Sequence, residues 1–156
     1  MPRRYAITFK NVAVSAAQDL ISVQCGSGKT LRICKIWLYG TDTTLQTAQM
    51  LQCLLKYATT FAFGSGGTVP SPAGVPLDPG DSAASFTSHI NDTTASASTF
   101  KDVYPCGGHN YAGITKDFGM GGIILGPSEG ASFQLLSTVS GTCHFSGGME
   151  VEESGG

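Results

Sequence analysis

Apolar and polar side chains alternate in short segments divided by long stretches of Gly, Pro, Ser and Thr, and this pattern most narrows the folds open to the chain. Tyr5, Ile7 and Phe9 fall on one face of an extended backbone and Ala6, Thr8 and Lys10 on the other, the period of a half-buried strand. That strand is expected to reach Val14. A short second strand is read over 19–24, Gly26-Ser27-Gly28 makes a turn, and a third strand covers 30–39. In the third, Leu31, Ile33, Lys35 and Trp37 alternate with Arg32, Cys34, Ile36 and Leu38. Apolar residues on both faces predict a strand central in its sheet or lying against a subunit.

Segment 49–63 admits two readings. Leu51, Leu54, Leu55 and Ala58 fit helical spacing with Thr44 as an N-cap, whereas Leu51, Cys53, Leu55, Tyr57, Phe61 and Phe63 form a period-two series broken only at Thr59. The aromatic residues of its second half favour the strand. Residues 64–81 carry Pro70, Pro72, Pro76 and Pro79 among Gly, Ser and Ala, so neither a helix nor a central strand continues through them. A long projecting loop is expected, of a length that is usually functional or ordered by a partner. A modest strand over 83–90 and an exposed polar connection over 91–99 follow. Further strands are read over 100–104, 122–125, 131–138 and 142–152, with turns at 126–130 and 140–141. With no alternation of strands and helices, the expected fold is all-β: one antiparallel β-sandwich over 1–156, jelly-roll-like, of about eight strands with long loops.

Composition then limits function. Only 13% of the 156 residues are charged, against about 25% in ordinary soluble domains, which implies a surface largely covered by other protein. The net charge of −2 and the single basic cluster Arg3-Arg4 exclude a general attraction to nucleic acid. No apolar run approaches the 18 or so residues of a membrane span, and the N-terminus lacks the apolar core of a secretory signal, so the chain is expected to begin at or near Met1 and to stay soluble where it is made. Five cysteines without paired spacing read as free, buried thiols of a reducing cytosol.

Candidate chemistry is sparse. Gly26-Ser27-Gly28-Lys29-Thr30 ends like a phosphate-binding loop, but Val23 stands where the first glycine is required and Thr30 opens a strand, so a hairpin turn is the better reading. Cys106, His109, Cys143 and His144 match no familiar zinc spacing, and adjacent strand residues point to opposite faces. No Gly-x-Ser-x-Gly elbow accompanies His89, His109 and His144, and Glu150, Glu152 and Glu153 suit a solvated strand face. No catalytic residue, cofactor or metal is expected. Phe61, Phe63, Phe86, Phe100, Tyr104, Tyr111 and Phe118 could stack on sugars, although core or subunit packing accounts for most of them.

The run YAITFKNVAVSAAQDL (residues 5–20), Leu31-Arg32-Ile33, Pro76-Leu77-Asp78-Pro79-Gly80-Asp81, Asn91-Asp92-Thr93-Thr94 and Val151-Glu152-Glu153 together resemble a family of small virion structural proteins of tailed phages and prophages. The resemblance implies a capsid decoration or cement protein that binds the major capsid protein, made in the bacterial cytoplasm and carried on the capsid surface. Jelly-roll subunits commonly pack around threefold axes, and by that likeness a trimer is expected. The expected contacts are an N-terminal arm, residues 1–4, through Arg3 and Arg4, and the loop 64–81 through Val69, Pro70, Pro72, Val75 and Pro76. The alternative is a head-fibre or tail-associated module that binds a receptor or carbohydrate.

Overall fold

Each period-two segment folds as a strand, but the phase of the alternation changes inside several of them. The computed structural model describes residues 1–44, 46–97 and 99–155. Its strands are β1 (Arg3–Val14), β2 (Gln18–Gln24), β3 (Thr30–Gly40), β4 (Met50–Ala58), β5 (Phe61–Ala62), β6 (Val75–Pro76), β7 (Thr87–Asp92), β8 (Ser96–Ala97), β9 (Lys101–His109), β10 (Ile114–Asp117), β11 (Ile123–Leu125), β12 (Gly130–Leu135) and β13 (Cys143–Ser154). Segment 49–63 is strand, with Leu51, Cys53 and Leu55 turned into the core as its odd positions require.

Two antiparallel sheets face one another. One runs β10-β3-β13-β1-β6, with β11 also on β3; the other runs β7-β2-β12-β4-β9. The first long strand pairs with the last and the second with the last but one, which is jelly-roll connectivity. Thirteen strands stand among the described residues where about eight were expected, the excess coming from short pieces that loop composition conceals, such as β5, β6 and β8 of two residues each.

Strand β3 is central in its sheet, as expected, between β13 and the pair β10 and β11, and a bulge adds a second reason for its apolar residues at both odd and even positions. Glu150 pairs with Lys35 and Val151 with Ile33, so Cys34 is an extra residue that bulges. The bulge reverses the phase, and Leu31, Ile33, Ile36 and Leu38 all reach the core at 0–1% exposure. A second bulge in β1, with Asn11 at φ 53°, moves the inward set from Tyr5, Ile7 and Phe9 to Val12 and Val14.

The expected exposed connection over 91–99, of which residue 98 lies outside the described residues, holds at Thr93, Thr94, Ser96 and Thr99 but is corrected at Asp92 and Ala95, which are buried, and at Ser96–Ala97, which form a strand. Phe61 and Ala62 pair with Ala97 and Ser96 to form a ribbon over the outer face of the β2–β12–β4 sheet. Gly130 permits this, since a Cβ there would lie 2.2 Å from Phe61 Cγ. Beneath the cover Asp19 is fully buried, and its Oδ2 accepts from the Ala95 N–H (2.7 Å), Ser132 Oγ (3.0 Å) and Ser22 Oγ (3.4 Å). Lys56 is buried close by, its Nζ 4.0 Å from the centre of the Phe100 ring.

The margin of this sheet is β9. Gln52 turns its backbone toward β12, donating to Ser137 Oγ (3.2 Å) and accepting from Leu136 (2.7 Å). By the alternation of an antiparallel ladder Leu54 does likewise, so its partner Pro105 directs its nitrogen away from the sheet, where no ladder bond is lost.

Candidate interaction surface

The two segments expected to touch a partner meet along one edge. In β6, Val75 pairs with Ala6 and Pro76 with Tyr5, and the Leu77 N–H donates to the Arg4 carbonyl at 2.9 Å. Gly74 makes the approach possible, because a Cβ there would sit 2.6 Å from Phe86 Cζ and 3.1 Å from Tyr5 Cβ. Tyr5 and Phe86 lie edge to face with ring centres 5.5 Å apart. The buried Tyr5 hydroxyl donates to the Ser82 carbonyl at 3.0 Å, and burial pushes its pKa up. Asp78 folds the following turn, its Oδ1 accepting from the Gly80 N–H (2.9 Å) and its carbonyl from the Asp81 N–H (3.0 Å).

Two of the expectations are corrected by this arrangement. Residues 1–4 are not a free arm, since Arg3 and Arg4 already belong to β1 and pair with Glu153 and Glu152 of β13. Nor does 64–81 project: it leaves the β7 side at the Thr68–Ile90 bridge, crosses the open flank of the sandwich and rejoins the other sheet as β6. Ser88 Oγ holds it midway by donating to the Ala73 carbonyl at 2.5 Å. The flank would otherwise leave Tyr5 and Phe86 in water, and burying aromatic rings is worth more than leaving a proline-rich segment free.

The guanidinium groups are engaged within the chain. Arg3 donates to Ser82 Oγ (2.6 Å) and lies 3.6 Å from Asp81, and Arg4 lies 3.2 Å from Glu150 and 3.5 Å from Glu152. Apolar side chains are what the edge leaves open. Val75 and Leu77 are 56% and 51% exposed, and Met1 projects beside them. Met1, Pro2, Arg4, Leu77, Asp78 and Asp81 line a cleft of about 360 Å³. Thus Arg3, Arg4, Val75 and Pro76 come together, while Val69, Pro70 and Pro72 lie on the preceding crossing. Met1 and Leu77 lie within the two expected segments, but the sequence singled out the charged Arg3 and Arg4 in the first and the residues before Leu77 in the second. The pairing of the first strand with the last, combined with Glu150 and Glu152, was the available sign that Arg4 would be occupied.

A second, polar cleft of about 260 Å³ opens between Asn11, Thr41, Asp42, Thr43, Thr44, Gln46 and His144. Asp42 accepts from the His144 backbone N–H (3.0 Å) and contacts His144 Nδ1 at 2.8 Å, fixing the ring while its Nε2 is left to other partners. Tyr111, half exposed, anchors its hydroxyl on the backbone of Gln46 at the rim. Cys143, next in sequence to His144, points into the core and contributes nothing to this cleft. The arrangement offers hydrogen-bond donors and acceptors and one oriented imidazole, with no serine or cysteine among its lining residues.

Gly26–Lys29 is a turn, its Lys29 N–H donating to the Gly26 carbonyl at 3.4 Å, and Thr30 opens a strand, but β2 and β3 belong to different sheets, so the turn carries the chain across the sandwich and is not the expected hairpin. Comparison with protein-family models, with curated proteins and with solved structures finds no match to this chain.

Proposed function

We propose that this protein is a structural component of a tailed-phage virion, a decoration or cement protein that binds the major capsid protein as a trimer. The observation that carries the reading is the edge where β1, β6 and the turn after it converge. It sets Met1, Val75 and Leu77 outward on a frame whose charged groups are already paired within the chain. An apolar patch rimmed by satisfied charges suits a contact repeated over a lattice, where many modest contacts add through avidity. Because 64–81 also covers Tyr5 and Phe86, point substitutions test the contact better than loop deletion. The double variant Val75→Asp, Leu77→Asp should lose at least about tenfold in co-sedimentation with procapsids while keeping its circular dichroism and thermal midpoint. Unchanged occupancy would reject the assignment of this edge, and a strict monomer in light scattering that never co-sediments would reject the decoration role.

A second reading, a receptor- or carbohydrate-binding module of a head fibre or tail, is favoured by the polar cleft at Asp42 and His144 with Tyr111 on its rim. Glycan-array binding abolished by Tyr111→Ala and Asp42→Ala would support it over the first.

A further inference from the structure

Cys53 and Cys106 are direct partners in the β4–β9 ladder, the only two cysteines so opposed among the described residues. Opposed residues of an antiparallel pair have Cα atoms about 4.5–5.5 Å apart, within the roughly 4.4–6.8 Å spanned by linked cysteines. Both turn inward. Cys53 is 1% exposed, whereas Cys106 packs on the core from its rim and keeps some access to solvent. Strand β9 is the edge of its sheet, and its register with β4 shifts between Leu55 and Lys56, so adjustment of its backbone is not opposed by a further strand.

The two thiols are also unequal. Interaction with Cys106, aided by burial, pushes the Cys53 thiol far up, and the same interaction brings Cys106 below the usual thiol range against the effect of its own burial. Burial pushes Cys25, Cys34 and Cys143 up. Cys106 is therefore the thiol most readily present as the nucleophilic thiolate.

We propose that Cys53 and Cys106 form an oxidisable dithiol that exchanges with a small disulfide of the glutathione class and closes into a bridge between β4 and β9. Cys106 Sγ attacks one sulfur of the small disulfide, the S–S bond breaks, and one glutathione leaves as thiolate and takes up a proton. Cys53 then gives up its proton and attacks Cys106 Sγ, expelling the second glutathione as thiol. Two protein thiols lose two electrons, and one oxidised glutathione becomes two reduced ones. The inference is independent of the docking edge, which lies on the other sheet.

Incubation of the purified protein with oxidised glutathione, followed by acid quenching and thiol titration in denaturant, should lower the free thiols from five to three. Peptide mapping should join Cys53 to Cys106, and dithiothreitol should restore the starting count. Cys53→Ala should stop with glutathione retained on Cys106, and in Cys106→Ala the remaining thiols should stay free. Five titratable thiols after prolonged incubation, or a bridge that involves any other cysteine, would overturn the proposal.

Discussion

The outer faces of the two sheets carry similar residue types and treat them in opposite ways. On the β1–β13–β3 face, Arg4, Glu152 and Arg32 form a ladder of ion pairs at 3.5 and 3.3 Å with no strand laid over it, their side chains keeping 53, 16 and 27% exposure. On the β2–β12–β4 face, Asp19, Ser22, Ser132 and Lys56 are sealed beneath the β5–β8 ribbon. Asp19 Oδ1 has no hydrogen-bond partner among the described residues, while Oδ2 gathers three donors. A charge in solvent can be lost at little cost, whereas a buried carboxyl binds its cover to its sheet. The comparison teaches that the polar character of a strand position does not reveal which of these two roles it serves.

The sharpest test of this contrast is Asp19→Ala. It orphans the Ala95 N–H, leaves the Ser22 and Ser132 hydroxyls only each other at 2.8 Å, opens a hole under the ribbon and should lower unfolding stability by about 4 kcal/mol in urea titration. The same residue sets a pH dependence. Burial raises the Asp19 pKa above its usual value near 3.8, so the folded state holds its proton more tightly than the unfolded chain. This contribution is full at pH values below about 3.8, is lost as pH rises toward the folded-state pKa, and is flat above it. Asp19→Asn should remove that slope, its stability staying level over the pH range where the parent protein declines; parallel profiles for the two proteins would contradict the assignment.

Phe61→Ala comes next, at about 3 kcal/mol, because it removes the ring that lies on Gly130 and seals the ribbon. Faster amide hydrogen exchange in β5 and β8 than in β1 and β13 would show that the cover loosened first. The smallest effect is expected on the open face. Glu152→Ala should cost less than about 1 kcal/mol and become undetectable in high salt; a loss as large as that of Asp19→Ala would erase the distinction between the faces.

What could be read in the residues alone follows the same division. The start of β1 was legible because Tyr5, Ile7 and Phe9 are buried while the residues between them are not, whereas β4, buried on both faces from Cys53 to Lys56, admitted a helical reading as well. The bulges at Asn11 and Cys34 were not legible, because each reverses the phase only in combination with its partner strand β13. The ribbon was hidden because Asp19 meets Ala95, and Phe61 meets Gly130, across nearly half of the chain. The candidate edge was half legible: composition singled out both of its segments, but neither the β6–β1 pairing nor the capture of Arg4 by Glu150 and Glu152 is a property of either segment by itself.

The placement of Pro105 has a consequence for crowding. A nine-residue margin with unoccupied backbone donors invites copies at high density to knit sheet to sheet into fibres. At its centre this margin offers a ring in place of an N–H, so contacts between side chains can accumulate without becoming continuous β-structure. Changing Pro105 to a β-branched residue should keep the fold, since its nitrogen makes no ladder bond, and raise the light scattering of concentrated solutions.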